Sequence, residues 1–125
     1  MRFALVMCAA LAGGPAGAAG VEISGCVRDI DVTAGIAMDC DVTNGAVVAV
    51  ASMKYRVVAA QTDRTVPWLN QQLRIVVPGG IEPQETRRLT FVSGPFGMPD
   101  EADASKVIFI VTPVEAYDVN GALIE

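Results

Sequence analysis

The chain has 125 residues and a mass of 13.1 kDa, the size of one ordinary domain. With 52% hydrophobic residues and a mean hydropathy of +0.44, it is too apolar for a disordered polymer. It contains no histidine, so the commonest general base and metal ligand are both missing. A formal net charge of −5 argues against a nucleic-acid-binding surface.

Residues 1–18 read as a secretory signal peptide. Arg2 is the only charge before Glu22, an apolar run follows from Phe3 to Leu11, and Ala16-Gly17-Ala18 fits the small-x-small cleavage pattern. The run is too short to cross a bilayer, and charges or prolines interrupt every later apolar segment. The expected product is a single exported, periplasmic domain over residues 19–125, with no membrane span after cleavage. Loss of Arg2 leaves eight basic against fourteen acidic residues, a net charge of −6.

Cys8 leaves with the leader, so two cysteines remain. Cys26 and Cys40 lie 14 positions apart, and an even pair in an oxidising compartment points to one disulfide. Closing such a loop contributes about 3 kcal/mol in the chain-entropy model. A redox pair would have the closer Cys-x-x-Cys spacing, and two thiols without histidine make a poor zinc site.

The rest of the chain alternates with period two, the pattern of half-buried strands. Val21 to Arg28 opens the series, with Val21 and Ile23 inward and a bulge expected at Gly25. From Ile36 to Val42, apolar Ile36, Met38, Cys40 and Val42 alternate with Ala37, Asp39 and Asp41. If these two strands form a hairpin, Cys26 and Cys40 face each other. Asn44-Gly45 signals a turn. A long strand follows from Val47 to Ala59, with Val47, Ala49, Ala51, Met53, Tyr55, Val57 and Ala59 on one face and Ser52, Lys54 and Arg56 on the other.

Gln61 to Arg64 is turn-like. Thr65 to Leu69, interrupted by Pro67, fits an edge strand. Leu73 to Val77 is a further strand that Pro78-Gly79-Gly80 should end. Glu82-Pro83-Gln84-Glu85 is a turn with proline at a favoured position, and Arg87 to Val92 alternates again. Ser93 to Ser105 is the longest loop. Lys106 to Thr112 is apolar on both faces, which predicts a central strand. Val114 to Val119 continues past Pro113 as another strand or a bend, and Asn120-Gly121 turns toward Leu123 and Ile124. Seven to nine short strands without a helical period predict an all-β, antiparallel immunoglobulin-like β-sandwich.

The order of these pieces resembles a known family. DCDVTNGAVVAVASMKYRVV, a polar turn, and then IEPQETRRLTF resemble the small extracytoplasmic immunoglobulin-like domains of FxLYD type over residues 38–91. The resemblance implies that fold and compartment, and no catalytic residues. Gln84 stands where the family's turn has a glycine.

Catalysis finds no set of residues here. Without histidine the base would be a lysine or a carboxylate, and only Lys54 and Lys106 are present. No Ser-x-x-Lys, Gly-x-Ser-x-Gly or phosphate-binding loop occurs. The expectation is therefore a non-enzymatic domain without cofactors that contacts another, unidentified protein. Trp68, the only tryptophan, follows Pro67 and lies close to Arg64, both residue types that anchor interfaces. An alternative uses Asp29, Asp31, Asp39 and Asp41. Two Asp-x-Asp pairs flanking one connection present carboxylates that a calcium-stabilised adhesion module would need.

Overall fold

The computed structural model describes residues 20–28, 37–93 and 101–125. Six strands run in chain order: β1 (Val21–Arg28), β2 (Ala37–Asn44), β3 (Val50–Gln61), β4 (Leu69–Ile81), β5 (Thr86–Val92) and β6 (Val107–Tyr117). They form two antiparallel three-stranded sheets, ordered β1-β2-β5 and β4-β3-β6. The inward side chains of both sheets belong to one apolar cluster, with Met38, Cys40, Val42 and Phe91 from the first and Met53, Tyr55 and Val57 from the second.

β2 follows its sequence pattern. Met38, Cys40 and Val42 are buried while Asp39, Asp41 and Thr43 lie half-exposed between them. β1 pairs with it until the register shifts between Ser24 and Val27. Gly25 sits at that bulge with φ of 61°, a conformation that costs a residue without a side chain little. The extra residue brings Cys26 onto Cys40, and the expected disulfide is present with a Cα–Cα distance of 4.1 Å.

Among the described residues the strand count is six, not seven to nine, and the structure departs from the expected pattern at three places. Residues 62–68 form a turn, so the expected short strand at Thr65–Leu69 is absent and its last residue opens β4. Pro78-Gly79-Gly80 does not end β4. Val76 pairs with Ser52 and Ile81 with Val50, so four residues bulge out opposite one, with φ of 78° at Gly79 and 69° at Gly80. The Arg87 guanidinium of β5 donates to the carbonyls of Pro78 (2.7 Å) and Gly80 (3.0 Å) and holds the bulge against the other sheet.

Pro113, thirdly, does not divide the last strand, which runs unbroken to Tyr117. Beyond it only Leu123 returns, as an isolated bridge to Tyr117. β6 is also an edge strand rather than a central one, and β3 holds the middle. A proline whose nitrogen faces away from the neighbouring strand removes no ladder bond, so an edge accommodates it.

The face assignment along β3 changes at a bulge. Val50 and Met53 are both fully buried because the register shifts between Val50 and Ser52. The inward series is therefore Val50, Met53, Tyr55, Val57 and Ala59, and Val47 lies outside the strand at 91% exposure.

Candidate functional site

The corner where β3 passes into β4 is built on Gln61. Its side chain is buried, its Oε1 accepts from Trp68 Nε1 (2.9 Å) and from the Asp103 amide (2.9 Å), and its Nε2 donates to Asp63 (2.7 Å). The Trp68 amide donates to the Ala59 carbonyl at 2.8 Å, which fixes the backbone beneath the ring. The Arg64 guanidinium then lies 4.4 Å from the centre of the Trp68 ring, a stacked cation–aromatic contact. Thus the two residues singled out from sequence do meet. Arg64 is exposed and Trp68 partly so, with Val66 between them at 72% exposure.

Charges around the corner are paired. Lys106 Nζ lies 3.1 Å from Asp63. The hydrogen bond from Gln61, followed by that from Lys106, holds the Asp63 carboxyl below its usual range, and Asp63 in turn raises Lys106. The sequence marks Gln61 only as part of a polar turn; its role as a three-bond hub depends on Asp103, 42 positions away.

The acidic residues are divided. Asp39 Oδ1 accepts from Thr90 (2.6 Å), and Asp41 forms an ion pair with Arg88 (2.9 Å) on the exposed face of the first sheet. Asp29 and Asp31 lie outside the described residues. Among the described residues, no group of three or more acidic or cysteine side chains is placed to hold a metal ion.

The outer face of the second sheet carries a basic and aromatic group that the sequence does not foretell. Lys54 on β3 pairs directly with Arg74 on β4 and Glu115 on β6. Like charges opposite one another repel, and here Glu115 and Tyr117 relieve the repulsion. Lys54 lies 3.3 Å from Glu115, and the Arg74 guanidinium stacks 4.3 Å over the Tyr117 ring. Hydrogen bonds from Tyr117 and then Lys54 hold the Glu115 carboxyl below its ordinary value, while Tyr117 and then Glu115 raise Lys54. Alternation alone shows that Lys54 and Arg56 share a face; that Arg74 stands opposite Lys54 follows only from the register.

Toward the other end the same face turns apolar. Val58 and Ala60 of β3 pair with Ile110 and Ile108 of β6, which are 44% and 53% exposed.

No protein-family model matches this chain, and comparison with curated proteins and with solved structures finds no significant match to either.

Proposed function

We propose that this chain is an exported, periplasmic domain of immunoglobulin-like sandwich type, without catalytic chemistry, that acts by contacting another protein. The leader-like residues 1–18, the two antiparallel sheets on one core and the single disulfide support the compartment and the fold type. The observation that carries the contact function is the stacked, partly exposed Arg64–Trp68 pair on a hydrogen-bonded base. Such an anchor is already ordered, so binding through it loses little side-chain freedom.

The test is co-purification from an envelope extract with the wild-type protein, Trp68→Ala and Arg64→Ala, each checked for an unchanged circular dichroism spectrum. Loss of a hot-spot residue weakens binding by at least about tenfold, so the partner should be lost from both variants. If both variants retain every partner seen with the wild type, contact through this corner is wrong.

A further inference from the structure

Asn44, Asn70 and Asn120 are the asparagines of the chain, and Asn44 and Asn120 each precede a glycine. An Asn-Gly pair carries a latent reaction. The backbone nitrogen of the glycine can attack the side-chain carbonyl carbon of the asparagine, and glycine hinders that approach least because it has no side chain. Whether the reaction proceeds depends on how firmly the fold holds the reacting groups. The two pairs are held in opposite ways.

Asn44 is locked in place. It is fully buried, and its Nδ2 donates to the carbonyls of Val48 (2.9 Å) and Ile81 (2.8 Å). Its Oδ1 accepts from the Ala46 amide (2.8 Å), and the Gly45 amide donates to the Gly20 carbonyl (3.1 Å). Both the attacking nitrogen and the departing one are engaged away from solvent. Asn70 precedes the bulkier Gln71 and accepts from Arg56 Nη1 at 2.8 Å.

Asn120 is held only through its backbone. Asn120, Gly121 and Ala122 are all exposed, and the Asn120 side chain makes no hydrogen bond among the described residues. A side chain placed at Gly121 would meet nothing within 4 Å. The Gly121 amide donates to the Asp118 carbonyl at 3.0 Å, and Asp118 Oδ1 accepts from the amides of Asn120 (2.9 Å) and Ala122 (3.0 Å). Solvated hydrogen bonds in such a turn open locally, far more readily than the core unfolds.

We propose that Asn120 is a site of non-enzymatic modification, converted through a cyclic imide to aspartate and isoaspartate, while the fold preserves Asn44. The Gly121 amide gives its proton to solvent, its nitrogen bonds to Asn120 Cγ, and the Cγ–Nδ2 bond breaks with release of ammonia. Water then opens the ring. Attack at Cγ restores the original main chain and leaves aspartate. Attack at the backbone carbonyl routes the chain through Cγ and leaves isoaspartate. The net change is water consumed and ammonia released, with no oxidation or reduction.

The position of the turn gives this reaction a structural consequence. Beyond it Leu123 bridges Tyr117, the Ile124 amide donates to the Ala116 carbonyl at 2.9 Å, and the Ile124 side chain enters the core. Isoaspartate inserts a methylene into the backbone ahead of these anchors, and either product sets a second carboxylate close to Asp118. The end of the chain therefore loosens from β6 as the protein ages. The inference is independent of the Arg64–Trp68 corner.

Incubation of the purified, oxidised protein at mildly alkaline pH, followed by peptide mass mapping and methyltransferase labelling of isoaspartate, tests it. The side-chain amide should be lost progressively at Asn120, with Asn44 unchanged over the same period. In urea with the disulfide reduced, Asn44 should lose its amide as well. Asn120→Gln should abolish the labelling of the folded protein, and amide hydrogen exchange at Ile124 should quicken in the modified fraction. The inference is overturned if folded protein keeps Asn120 intact for as long as the unfolded chain takes to lose the amide of Asn44. It is overturned equally if Asn44 reacts as fast as Asn120 in the folded protein, or if exchange at Ile124 is the same before and after modification.

Discussion

The amide of Gln84 donates to the carbonyl of Asn44 across 2.6 Å, binding the turn after β4 to the end of β2. Gln84 makes this bond with φ of 69° and occupies the third position of a turn closed by Glu85 N–H on Glu82 C=O at 2.9 Å. Pro83 before it and a positive φ at Gln84 match a type II turn, whose third position favours glycine. The side chain therefore holds a left-handed conformation that costs roughly 1 kcal/mol.

Replacing Gln84 with glycine relieves that strain but adds freedom to the unfolded chain. Gln84→Gly should stabilise the protein by about 0.5 kcal/mol, and Gln84→Val should destabilise it by 1 kcal/mol or more, approximately, because a β-branched residue resists positive φ. Urea denaturation midpoints at constant m-value check both.

Asn44 is fully buried and all its side-chain polar atoms are used. Nδ2 donates to the carbonyls of Val48 (2.9 Å) and Ile81 (2.8 Å), and Oδ1 accepts from the Ala46 amide (2.8 Å). Asn44→Ala leaves those three backbone groups short of a partner. At about 1 kcal/mol or more for each, the loss should approach 3 kcal/mol, far beyond that of a surface asparagine. Chemical denaturation measures it.

Tyr55 crosses the core from β3 to reach β5. Its hydroxyl donates to the Val92 carbonyl (2.8 Å) and accepts from the Val92 amide (3.2 Å), while its ring meets Phe91 edge-on at 4.8 Å. Tyr55→Phe keeps the ring contact and loses both bonds, a destabilisation of about 1–2 kcal/mol. Burial raises the hydroxyl above its ordinary value of 10.0. The folded state then holds the proton more tightly than the unfolded state. That contribution is fully present below pH 10.0 and is lost as pH rises through the raised value. Stability measured from neutral to strongly alkaline pH should fall less steeply in Tyr55→Phe than in the wild type.

Reduction of Cys26–Cys40 should lower stability by about 3 kcal/mol, the value expected for a loop of this size. The double variant Cys26→Ala/Cys40→Ala should reproduce that loss in the absence of reductant. Titration of the native protein with a thiol reagent should give no reaction at either position, and two reactive thiols would contradict the bond.

Much of the strand pattern was legible because alternation is a local property. Met38, Cys40 and Val42 point inward for the reason the sequence suggests: apolar residues at every second position bury one face of a pleat. The pattern misled wherever a bulge changed its parity. Val47, Ala49 and Ala51 continue the Met53–Ala59 alternation on paper, yet the shift at Val50 breaks that continuity and leaves Val47 in solvent. Pro78 and the two glycines after it read as a stop but form a bulge, because Arg87 supplies hydrogen bonds to their carbonyls from another sheet.

Position within a sheet was harder still. The Val107–Val111 run is apolar on both faces, which usually marks a central strand, but β6 stands at an edge with Ile108 and Ile110 half in solvent. The candidate corner was half legible: Trp68 and Arg64 are close in sequence, whereas the buried Gln61 beneath them is completed by Asp103 from across the fold.

By itself, then, the order of residues determined the secondary-structure type, the inward faces of unbroken strands and the cysteine pair, since side-chain period and thiol count are properties of the chain alone. Tertiary structure decided which strand is an edge, where parity shifts, that Lys54 faces Arg74, and that Asn44 bonds to Ile81. Those outcomes depend on which distant backbone groups and apolar surfaces find one another, and no local pattern encodes that choice.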